Sequence, residues 1–208
     1  MKRLTTIDES TIARAAEESK SLFPTSSHHL RLMFSISGIL YPEKSPSQLD
    51  HTQLTQTFAV NTIGPLLLTK HFSQFLPTKR TSLPSQTPDA TGLPDHAVWL
   101  NMSARVGSTS DNGLGGWYSY RASKAGVNSI TKSFDQWLKV RSGANAIAIA
   151  YHPGTVKTSL SKEFWGNVKE GKLFEPDFAV QKMLEVVRGR TIDDRGRCWD
   201  WKGKEILP

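Results

Sequence analysis

Apolar positions along the chain alternate between two kinds of spacing. Residues 30–36 (LRLMFSI), 97–102 (AVWLNM) and 144–151 (ANAIAIAY) are short apolar runs and predict strands. The first ends in Ser37-Gly38 and the third in His152-Pro153-Gly154, both turn signals. Between them the spacing is helical. Residues 8–22 predict a helix with Asp8 or Ser10 as N-cap. Residues 53–76 predict a long helix whose core face carries Leu54, Phe58, Ile63, Leu67, Phe72 and Leu76, with a kink at Gly64-Pro65. Residues 118–140 and 178–187 predict two more helices, the last capped by Asp177, and residues 197–201 a final strand. Residues 78–94, rich in Pro, Ser and Thr, predict an exposed loop. No internal repeat or linker interrupts this order, so residues 1–208 are expected to form one domain.

Strands alternating with helices imply an α/β fold, a parallel sheet covered on both faces. In such sheets ligands sit beyond the carboxyl ends of the strands. That rule gathers residues 35–38, 103–108, Tyr120 and residues 153–158 on one rim.

Composition narrows the function. At 208 residues the chain can bury one sizeable core. A membrane-spanning helix needs roughly 20 apolar residues, and no such run is present. The first residues are basic but lack the apolar core of a secretory signal, and Cys198 is the single cysteine. These features fit a cytoplasmic protein without an intrachain disulfide. The net charge of +7 is scattered, with short clusters at Lys79-Arg80 and between Arg188 and Arg197. Without an interleaved aromatic platform it reads as solvated surface rather than a nucleic-acid site, and no metal-ligand spacing is present.

The chemistry concentrates in GGWYSYRASK, residues 115–124. Tyr120 and Lys124 stand one helical turn apart, so their side chains share a face. A phenol titrates near ~10 in water, too high for acid–base work at neutral pH. A neighbouring ammonium is expected to lower that value and tune the pair for proton transfer. Around the pair lie SGILYPEKS (37–45), FAVNTIGPLLLTKHF (58–72), NMSARVGSTSDN (101–112), GGWYSYRASKAGVNS (115–129) and HPGTVKTSLS (152–161). On these segments the chain resembles the short-chain dehydrogenase/reductase family, and most closely its C-factor- and sniffer-type carbonyl-reductase-like members.

The resemblance implies a Rossmann-like doubly wound sheet and NAD(P)H-dependent hydride transfer to a small carbonyl or alcohol substrate. NADP is expected ahead of NAD. Tyr120 would be the general acid/base. Lys124 would hold the nicotinamide ribose, and Asn61 would anchor a water in the proton relay. Gly38, Pro153, Gly154, Val156 and Thr158 would border the nicotinamide. Phe164 and Trp165, in the segment 160–176, would touch substrate. The two long helices imply a homo- or heterodimer, with no membrane or nucleic-acid partner. The family ends the second strand with paired serines, of which the second polarises the carbonyl. Here that position is Ala104, so Ser103 is the first candidate and Ser108 the fallback.

The front of the chain departs from the pattern. The family opens with a strand and a glycine-rich turn that receives the pyrophosphate. The first glycine of this chain is Gly38, and Thr5 stands at the position of an adenine-contacting Asp. The expectation is therefore a Rossmann-like domain truncated at its N-terminus, lacking its first β-α-β-α units and exposing an apolar sheet edge and face. The alternative reading is a catalytically inactive fragment that serves as a dimerisation partner.

Overall fold

The computed structural model describes residues 8–83 and 92–208. Thr5 and part of the 78–94 loop lie outside them. Five strands form one sheet in the order β1 (Leu32–Ser35), β2 (Ala97–Met102), β3 (Ala146–His152), β6 (Cys198–Asp200), β7 (Glu205–Ile206). The first four run parallel and β7 is antiparallel to β6. A second, two-stranded parallel sheet joins β4 (Thr155–Val156) to β5 (Leu173–Phe174).

Strand alternation explains the layering. Trp99 points to one face, where it meets Ile12, Leu68, Phe134 and Leu138 from three helices. These are α1 (Glu9–Leu22), α3 (Gly64–Phe72) and α4 (Tyr118–Arg141). Val98 and Leu100 point the other way, onto Met183, Val186 and Val187 of α5 (Pro176–Arg188). The sheet is thus covered on both faces, as the alternation predicts. Among the described residues β1 pairs on one side only, so the expected open edge is there. The expected bare face is not: Met33 packs on the first core, and Leu32 and Phe34 on the second.

One helix start holds and two helix boundaries change. Asp8 is the N-cap of α1, accepting from Ser10 N–H. Helix α5 begins two residues before the predicted start because Pro176 takes its first position, with Glu175 as N-cap; Asp177 sits inside the first turn. The predicted 53–76 helix is broken into α2 (His51–Phe58), a π turn over Ala59–Ile63, and α3. Pro65 explains the break. It lacks the N–H that an α-helix would send to the Asn61 carbonyl, and the preceding turn widens.

Helix α4 is tied to the sheet by a buried ion pair. Arg195 grips both carboxylate oxygens of Asp135 at 3.0 and 2.8 Å and donates to the Gly143 and Ala146 carbonyls. Asp135 in turn accepts from the Ala148 N–H of β3 at 3.0 Å. With most of its donors and acceptors matched, the pair fixes where α4 lies along β3.

Candidate active site

Tyr120 and Lys124 lie in the first turns of α4, at the carboxyl rim of the sheet. Both are buried, at 8% and 2% exposure. The Lys124 ammonium donates to the Met102 carbonyl at the end of β2 (2.8 Å) and sits 5.7 Å from the centre of the Tyr120 ring. The turn after β2 (Arg105–Gly107) and α4 approach closely because residue 107 is glycine: a Cβ there would fall 2.7 Å from the Lys124 backbone.

Burial pushes the Tyr120 phenol up to about 12. The same loss of water brings the Lys124 ammonium down to about 8. The sequence reading had Lys124 lowering the Tyr120 value. In this arrangement desolvation dominates both groups, because each is removed from water and the ammonium faces a carbonyl rather than the phenol oxygen.

Asn61 bridges three elements. Its Oδ1 accepts from Ile39 N–H (2.8 Å), and its Nδ2 donates to the Ile39 carbonyl (2.9 Å) and to Ser123 Oγ (3.0 Å). Ser123 Oγ donates to the Tyr120 carbonyl at 2.8 Å. The segment after β1 is thereby fastened to the helix that carries Tyr120. Gly38 sits at the junction. A Cβ there would lie 3.5 Å from Lys124 Nζ and 3.6 Å from Asn61 Oδ1, in contact with both, so the bare glycine backbone runs directly beside the ammonium.

The remaining predicted residues divide. Ser103 Oγ donates to Asn128 Oδ1 of α4 at 2.6 Å, and Ser108 Oγ accepts from Asp111 N–H at 3.1 Å. Both are buried and engaged with protein. Ala104 holds the position beside Ser103 at the exit of β2. Pro153, Gly154 and Val156 follow β3 on the same rim. Gly154 has φ +77°, and a Cβ there would meet Phe174 at 2.5 Å and Trp201 at 3.2 Å, so the turn requires glycine. Thr158 is exposed and points its hydroxyl back toward the Val156 carbonyl (3.4 Å). Of the aromatic pair, Phe164 reaches the site through Trp117, ring centres 4.9 Å apart. Trp165 instead donates its indole N–H to Ser161 within its own turn.

Sequence reading missed Ser123, Trp117 and Glu43. Trp117 carries no periodic or motif signal in the sequence. Its ring stands edge-on to Tyr120 at 6.2 Å. Glu43 bonds to the start of α4 from far away in sequence, which no local pattern reveals.

The site thus brings together a buried ammonium, the bare backbone of Gly38 beside it, and a phenol one helical turn away. Among the described residues no His/Cys/Asp/Glu group could hold a metal, and no helix is long and apolar enough to cross a membrane.

No protein-family model matches the chain. It is 29% identical over 158 residues to the C-signal of Myxococcus xanthus, covering 76% of this chain and 80% of that protein. It is also 29% identical over 170 residues to 1-hydroxy-2-glutathionyl-2-methyl-3-butene dehydrogenase of Rhodococcus sp. (strain AD45). That match covers 81% of this chain but only 64% of the dehydrogenase. Among solved structures, the NADPH-bound carbonyl reductase from chicken fatty liver superposes with a TM-score of 0.78 at 26% identity, covering 99% of this chain and 75% of that one. The carbonyl reductase Sniffer of D. melanogaster superposes with a TM-score of 0.79 at 19% identity, covering 100% and 77%.

Proposed function

We propose that the chain is a member of the short-chain dehydrogenase/reductase family and an NAD(P)H-dependent oxidoreductase acting on a carbonyl or alcohol substrate. The observation that carries this reading is the buried Tyr120–Lys124 pair with the bare Gly38 backbone beside it, which we read as the recess for the nicotinamide ribose. NADP is favoured over NAD because the chicken reductase is NADPH-bound. When bound, the nicotinamide supplies the hydride. Tyr120 Oη gives its proton to the carbonyl oxygen in reduction and takes it back in oxidation. A phenol held protonated by burial is suited to the donor role at neutral pH. Lys124, already desolvated, would hold the ribose hydroxyls, whose oxygens would give its charge a second partner besides Met102. Asn61 and Ser123 keep the two walls of the recess in register. Pro153, Gly154, Val156 and Thr158 would border the nicotinamide, and Phe164 the substrate.

Ser103 is left with a lesser part in this reading, because its hydroxyl proton is directed to Asn128. Proximity and the Tyr120 proton would do the work that a polarising serine shares elsewhere. A second copy would pack against the exposed apolar side chains of the two long helices: Phe58, Ile63 and Leu66 on one, Trp137 and Val140 on the other.

The test is NADPH oxidation against a panel of ketones, aldehydes and quinones. The wild-type chain is expected to turn over at least one of them, and Tyr120→Phe to lose at least about 100-fold in kcat. Equal turnover by the two proteins would remove Tyr120 from the reaction.

A further inference from the structure

Glu43, between β1 and α2, is 4% exposed. Its Oε1 accepts a hydrogen bond from Ser119 Oγ in the first turn of α4. Its Oε2 is buried without a hydrogen-bond partner among the described residues. Its backbone carbonyl accepts from Trp117 N–H at 2.6 Å. Burying a carboxyl group is costly, and leaving one oxygen unmatched costs more. A native fold that keeps such a group asks for a reason.

The reason lies in the backbone that it touches. Gly115, Gly116 and Trp117 have φ values of 64°, 65° and 51°, three left-handed residues in succession. Glycine adopts this region freely, but Trp117 carries a steric penalty there. Strained residues of this kind persist only where their surroundings over-determine them. Here Arg121 Nε donates to the Gly115 and Gly116 carbonyls at 3.2 and 3.0 Å, and the Glu43 carbonyl holds the Trp117 N–H. Trp117 caps α4 with no side-chain bond of its own. The first turn, which carries Tyr120, is therefore anchored from outside the helix, through Ser119.

We propose that Glu43 is a positioning residue: its carboxyl group and its backbone carbonyl clamp residues 117–119 and so set the place of the Tyr120 hydroxyl. This rests on the reading of Tyr120 as proton donor. The clamp itself does not, and the two can fail separately. A simple helix cap would change stability and leave kcat of the folded protein alone. A positioning residue changes kcat.

The experiment compares the full chain with Glu43→Ala and Glu43→Gln, measuring turnover, NADPH affinity and amide hydrogen exchange along α4. Glu43→Ala is expected to lower kcat about 10- to 100-fold, as expected for a small misplacement of a reacting group, with NADPH affinity within about 2-fold. Exchange at residues 117–121 should accelerate about tenfold or more while residues 126–141 keep their protection. Glu43→Gln keeps an oxygen for Ser119 and should retain kcat within about 3-fold. Unchanged kcat and unchanged local exchange in Glu43→Ala would overturn the proposal. So would an even loss of protection along the whole helix. If the wild-type chain turns over no substrate, the reading of Tyr120 falls, and exchange alone decides the clamp. If Glu43→Ala does not fold, Ser119→Ala removes the same bond from the other side and is judged by the same outcomes.

Discussion

At the scale of single residues the site is built from groups that would be more comfortable elsewhere. Lys124 has a folded value of about 8 against its ordinary 10.5. Between those values the unfolded chain binds the proton more tightly, so stability rises with pH across that window. Below about 8 the full penalty of the buried charge is present. Lys124→Met is therefore expected to be more stable than wild type by about 1–3 kcal/mol in urea at pH 7, with the gain gone near pH 10.5 and turnover lost with the ammonium. His152 gives the opposite end of the pH range. Burial first, then Arg105, brings it down to about 4, and its Nδ1 has no hydrogen-bond partner among the described residues. Its native form is neutral, so stability is expected to fall by about 1–3 kcal/mol as pH drops from 6.5 to 4, and His152→Asn to flatten that limb. Ser103 offers a third check: Ser103→Ala should cost less than about 5-fold in kcat, whereas a loss above about 100-fold would restore it as a carbonyl polariser. The pairing of Tyr120 with Lys124 was legible because helical spacing is a local property. The direction of the Tyr120 shift was not, because it depends on how much water the rest of the fold removes.

At the scale of elements, α4 organises the site. Its lower half is held by Asp135 and Arg195, and its upper half rests on Gly107 and on the Asn61–Ser123 bond. Asp135→Ala would leave the Arg195 guanidinium buried without its partner, and should cost about 3–5 kcal/mol, read as a lower melting temperature. Strands β1, β2 and β3 and the long helices were readable from apolar runs and spacing. The kink at Gly64-Pro65 was readable too, although not its form, since a proline signals a break without specifying a π turn. Strands β4, β5 and β7 went unread. Each is two residues long, too short to carry a pattern; β4 and β5 pair with each other across the 16 intervening residues 157–172, and β7 only completes a hairpin with β6. The serine assignment met a similar limit. Alternation along β2 warned that Ser103 could face away, but only the position of Asn128 shows what it bonds.

For the molecule as a whole, the parallel sheet brings the ends of β1, β2 and β3 to one rim, and α4 lays Tyr120 and Lys124 across it. On the proposed function, what the rim offers is a nicotinamide-ribose recess and a proton donor. The central claim is that this recess, formed by Gly38, Asn61 and Lys124, recognises the reduced cofactor. The most direct test is a fluorescence titration of the purified, folded chain with NADPH, beside Lys124→Ala and Gly38→Val. The account predicts saturable binding by the wild-type chain, weakened at least about tenfold in each variant, because one removes the cation and the other fills the recess. Binding of equal strength in all three proteins, or none by the folded wild-type chain, would contradict it.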